Sequence, residues 1–135
     1  MMKFIAAYLT TAVVMIVIDL VWLGVIAKPL YQQGIGHLMA EQPNIAAAVV
    51  FYALFPVGLM VFAITPQAAM EGWQKSAMLG AMFGFFTYAT YDLTNLATLK
   101  NYPASLALID MFWGTLVSAT AAVAGKLVFD RFLNT

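Results

Sequence analysis

Four times the chain runs for more than twenty residues with at most one charged side chain: 4–27, 44–64, 76–99 and 103–125. A helix needs about 20 apolar residues to cross a hydrocarbon core about 30 Å thick, so each run has the length of a membrane span. The runs do not alternate polar and apolar residues, which excludes a lipid-facing β-barrel and leaves helices as the spanning structure. Composition agrees: 64% of the 135 residues are hydrophobic and 9% are charged. A soluble domain carries roughly 25% charged residues and could not hide this much apolar surface. The expected fold is all-α, a polytopic membrane protein with a bundle of four transmembrane helices. It forms a single transmembrane domain over 1–135, with no separate soluble part.

The first run begins like a signal peptide, and Val25-Ile26-Ala27 is a tolerable cleavage pattern. It exceeds the roughly 7–15 residues of a typical signal-peptide core and contains Asp19, so it is read as a retained span. Lys3, Lys75, Lys126 and Arg131 flank the spans on one side, Lys28 and Lys100 on the other. Positive charge favours the cytoplasmic face, which predicts both termini to be cytoplasmic. Formal net charge is zero, so no nucleic-acid partner is expected. The absence of cysteine excludes disulfides, thiolate metal sites and thiol catalysis.

The third run carries an expensive stretch, Tyr88-Ala-Thr-Tyr91-Asp92-Leu-Thr94-Asn95. Strongly polar groups at membrane depth usually face a bundle interior or a cavity and mark function. With about 1.5 Å of rise per residue, Asp19 and Tyr52 fall roughly 12 Å from one membrane edge and Asp92 and Asp110 roughly 10 Å from the same edge. Three acids and a phenol are thus expected in one layer, whichever way the protein is inserted. Asp19-Leu-Val-Trp22 in the first run recurs as Asp110-Met-Phe-Trp113 in the fourth, each acid and indole sharing a helix face. Because the two spans run oppositely, the indoles are expected to wall a pocket above and below the carboxyl layer. No lysine or arginine lies inside any run, so at least one acid is expected to hold a proton when the site is empty, with the set titrating as a unit. The plainer alternative is that the acids hydrogen-bond Tyr88, Tyr91, Thr94 or Asn95 and hold helices together.

Segment 28–43 is the longest connection. Leu30, Tyr31, Ile35, Leu38 and Met39 share roughly one helical face, which reads as an amphipathic outer segment lying in the interface over the polar layer. His37, the only histidine, is read as a solvated loop residue. Pro56 frees the Tyr52 carbonyl and either kinks its helix or opens space beside Tyr52. Ser76, Gly80 and Gly84, and likewise Gly114, Ser118 and Ala122, have the spacing that lets helix backbones approach in lipid. Such contacts suit packing within the chain or a homo-oligomer. There is no phosphate cradle, zinc-binding His-Glu-x-x-His or nucleophile elbow. The acids are not grouped at metal-loop spacing, so no metal is expected, and any cofactor is left open.

Asp19-x-x-Trp22-Leu23-Gly24, Tyr91-Asp92-Leu93-Thr94-Asn95 and Asp110-x-x-Trp113-Gly114 resemble the DUF2177 family of predicted bacterial membrane proteins. The resemblance implies a four-span protein of the bacterial inner membrane, with these positions as the family's marked residues, and brings no activity with it. From the residues themselves, the leading expectation is a site for a small amphipathic molecule, a cation among the candidates, bound or carried with protons exchanged at the acids. Its residues would be Asp19, Trp22, Tyr52, Tyr88, Tyr91, Asp92, Asn95, Asp110 and Trp113. One alternative is an intramembrane enzyme acting on a lipid or lipid-linked substrate through Asp92 and Asp110, with Asp19 nearby. The other is a structural subunit of a membrane complex. Besides the lipid bilayer, a small-molecule or lipid ligand is the partner these readings share.

Overall fold

The computed structural model describes residues 1–132. It is all-helical, with no strand among the described residues. Helix α1 spans Met2–Val21 and continues as one wide π turn, Trp22–Ile26. A short α2, Lys28–Ile35, follows the buried Ala27. Helix α3 covers Ile45–Leu59, capped by the Asn44 side chain on the Ala47 amide, and runs on through a second π turn, Met60–Ile64. Helices α4, Gln74–Thr98, and α5, Ala104–Arg131, complete the chain.

Among the described residues, three segments are long and apolar enough to cross a membrane: Met2–Ile26, Ile45–Gln67 and Ala104–Arg131. Their outer surfaces are apolar and exposed, with Leu9, Val13 and Val17 on α1, Val49 and Leu54 on α3, and Val61 on the π turn after it. Helix α4 is long enough at 25 residues but is not among the three, because its second half carries the polar stretch from Thr87 to Asn95.

Helix α5 is the centre of the bundle. It pairs with α4 along its length and with α1 on another side, both antiparallel: Phe4 meets Phe129, Gly125 meets Thr11, and Trp113 meets Asp19. The small residues make the α4–α5 pairing close. A Cβ on Gly80 would sit 2.6 Å from that of Ala122, and one on Gly84 would collide with the Gly114 carbonyl and Ser118. Both small-residue stripes therefore face each other inside this chain. Ser76 joins α4 to the end of α3 by donating to the Ala63 carbonyl at 2.8 Å.

Helix α5 also runs beyond the expected end of the fourth span, and Lys126 explains why. Rather than a solvated flank, Lys126 is fully buried, ion-paired to Asp130 and donating to the Met70 carbonyl at 2.8 Å. The amide of Gly72, whose φ of +108° suits glycine, donates to the other Asp130 oxygen at 3.3 Å. The turn after α3 is thereby pinned to the last turns of α5, and the charge that would have ended the helix is neutralised within it.

Candidate functional site

At the other end of the bundle α3 and α4 diverge, although α3 stays helical through the buried Pro56. They meet through Phe55, whose ring is 5.1 Å from Phe83 and 6.1 Å, edge to face, from Tyr88. Beyond that aromatic floor lies a cavity of about 630 Å³. Asp19, Asp110 and Trp113 line it from α1 and α5, Tyr52 and Phe51 from α3, Thr87, Tyr88 and Tyr91 from α4, and Trp22, Leu23 and Tyr31 from the roof side. Leu23, Phe51 and Tyr91 are exposed, at 47%, 40% and 54%, so the rim is apolar and aromatic. Among the described residues, no lysine, arginine or histidine lines it.

The repeated Asp-x-x-Trp unit builds the back wall in a crossed pattern. Trp113 of α5 donates to Asp19 Oδ1 of α1 at 2.9 Å. Trp22, at the start of the π turn that continues α1, reaches the Tyr31 hydroxyl at 3.5 Å, and that hydroxyl donates to Asp110 of α5. Each indole thus serves the acid of the other helix, directly or through one phenol. The two indoles do not bracket the acids from above and below. They stack on each other, 4.3 Å apart and 7° from parallel. Helical side chains lean toward their own N-terminus, so on antiparallel helices Trp22 and Trp113 lean together while Asp19 and Asp110 lean apart.

Asp19 is buried and has a donor on each oxygen, with Tyr52 donating to Oδ2 at 2.8 Å. Burial and the Asp110 carboxyl push the Tyr31 phenol well above its ordinary range, so it remains a donor. Tyr31 comes from the short amphipathic α2, which lies over the cavity with Gly34 against Pro103 and Leu106.

Seven of the nine residues singled out in the sequence line this one cavity: Asp19, Trp22, Tyr52, Tyr88, Tyr91, Asp110 and Trp113. Asp92 and Asn95 do not. Asp92 is fully buried behind the wall and accepts from Tyr102 at 3.0 Å, and Asn95 stands beside Tyr91 and Tyr102. A carboxylate pair working on one molecule in the cavity would therefore be Asp19 with Asp110. The acids do not take their bonds from Thr94 or its neighbours. Thr87, Thr90, Thr94 and Thr98 all turn their hydroxyls back to carbonyls of α4 itself. The donors are Tyr31, Tyr52, Tyr102 and Trp113 instead. Tyr102 was not singled out in the sequence, and Tyr31 only as part of the amphipathic face over the polar layer; both are phenols in connecting segments that reach in to the acids.

These features define a helical membrane protein with an acid-lined, aromatic-walled cavity toward one end of the bundle. Residues 4–127 match the DUF2177 family, described as a predicted membrane protein, and the chain belongs to that family. No curated protein and no solved structure matches it.

Proposed function

We propose that the cavity binds a small amphipathic molecule with a cationic or donor-rich head, drawn from the bilayer. The observation that carries this is the pairing of Asp19 and Asp110 with an aromatic wall of Trp22, Tyr88 and Trp113 and no opposing cation. A cationic head would meet negative charge and ring faces together, and each cation–π contact in a desolvated site adds about 2 kcal/mol. An exposed rim of Leu23, Phe51 and Tyr91 suits a ligand whose tail stays in lipid.

The reading takes α4 as a fourth span. Its outward residues Met78, Met82, Phe85 and Phe86 are exposed and apolar. Its threonine hydroxyls are satisfied on the helix itself, as lipid requires of polar groups. Hydropathy alone undervalues such a helix. The reading also places the protein in an inner membrane, the cavity in the half away from the start of α1 and the end of α5. Carrying the ligand across the membrane is the natural extension of binding it there.

The test is equilibrium binding in lipid nanodiscs of octyltrimethylammonium against octanol. Preference for the ammonium, lost on Asp110→Asn, is expected. Equal uptake of both, unchanged by that substitution, would overturn the proposal.

A further inference from the structure

Asp92 has no place in the cavity, yet it is the most deeply buried acid among the described residues. Tyr102 donates to Oδ1, while Oδ2 has no hydrogen-bond partner. A buried, unpartnered carboxylate oxygen is costly and calls for an explanation. Its neighbours supply one. The antiparallel register of α4 and α5, in which Gly80 meets Ala122, Gly84 meets Ser118 and Tyr88 meets Gly114, sets Asp92 opposite Asp110 at the next step, and the two carboxyls interact. Two carboxylates are both acceptors, so no bond joins them unless one carries a proton.

The other titratable groups facing Asp92 are phenols: Tyr102 from the turn before α5, Tyr31 from α2 and Tyr91 from α4 itself. Burial raises the Tyr102 phenol, which therefore stays a donor and brings no positive charge. From α1, Asp19 reaches the pair only through Asp110. Nothing cationic is among these neighbours. Asp110 is thus the hinge of the arrangement, lining the cavity on one side and meeting Asp92 on the other.

We infer that Asp92 and Asp110 form a proton-binding site, holding one proton between them while the cavity is empty and giving it up when a cation binds at Asp110. The step balances simply. The carboxyl O–H bond breaks, the incoming cation takes over the neutralisation of Asp110, and the proton passes to bulk water at the 99–103 end of the bundle. Asp92 contacts no ligand in this scheme. It is a positioning residue that sets the proton count of Asp110. The idea rests on the cation-binding reading of the cavity only in its second half, since the shared proton exists without any ligand.

Infrared spectroscopy of the ligand-free protein in nanodiscs tests the first half. A carbonyl stretch of a protonated carboxylic acid, sensitive to deuterium exchange, is expected in the wild type and in Asp19→Asn, and is expected to vanish in Asp92→Asn. Tyr102→Phe removes only the donor to Oδ1 and is expected to shift the band, which a purely structural role for the tyrosine would not do. Proton release tests the second half, by adding octyltrimethylammonium to weakly buffered protein. Roughly one proton per bound cation is expected from the wild type and none from Asp92→Asn, with binding retained. Absence of the band, or its survival in Asp92→Asn, would overturn the proton site, and binding without release would overturn the exchange of that proton for a cation. A band that behaves as expected, with no ammonium binding, would leave the proton site standing and sink the cation-binding proposal instead.

Discussion

The two ends of this bundle bury charge in opposite ways. At the closed end Lys126 and Asp130 neutralise each other, and their remaining bonds go to the Met70 carbonyl and the Gly72 amide. The cluster is compact, and Lys126 is fully buried within it. At the open end three acids gather with phenols and indoles as donors, no cation among the residues around them, and an adjoining cavity of about 630 Å³. Matched charge packed tightly reads as a fastening. Unmatched charge beside a cavity reads as a site that awaits its counter-charge.

If that contrast is right, substitutions at the two ends should fail differently. The largest effect on stability belongs to Lys126→Met, which strands Asp130 and should cost about 3 kcal/mol, as breaking buried pairs does. Lys126→Met with Asp130→Leu should recover most of that loss, both read from unfolding in detergent. Next comes Gly84→Val at the α4–α5 contact, where the added carbons meet the Gly114 backbone and Ser118, an overpacking worth about 2 kcal/mol. Gly114→Ala moves toward function. Its Cβ would strike the Tyr88 ring, which has the cavity to turn into. Ammonium binding should weaken about tenfold, or about 1.4 kcal/mol, with a smaller change in melting temperature. Smallest is Trp113→Phe, which keeps an aromatic ring in the wall but removes the donor to Asp19, for about 1 kcal/mol of stability. Should Gly114→Ala unfold the protein as badly as Lys126→Met, the two ends would not differ in kind.

The shared depth of Asp19, Tyr52, Asp92 and Asp110 was legible because helical rise converts position into depth, and it needs no knowledge of which helices touch. The crossed hydrogen bonds were not legible. They depend on how far an indole reaches and which way it leans once two antiparallel helices meet. Tyr31 and Tyr102 were hidden for another reason. They belong to connections: the helical face of 28–43 sets Tyr31 over the polar layer without naming its partner, nothing records the path of Tyr102, and only the folded chain brings them to Asp110 and Asp92. Lys126 misled more simply. A lysine near the end of an apolar run reads as a solvated flank, and only the partner four residues on, Asp130, lets the helix carry it inside.

Photolabelling puts the cavity itself to the test. A long-chain trimethylammonium bearing a diazirine at the head end, reacted in nanodiscs and mapped by mass spectrometry, should mark the peptides carrying Trp22, Tyr88 and Trp113. Unlabelled octyltrimethylammonium should compete that labelling away. Label spread over the lipid-facing positions Val49, Phe62 and Leu127, and indifferent to competitor, would mean that the acids enclose no binding site.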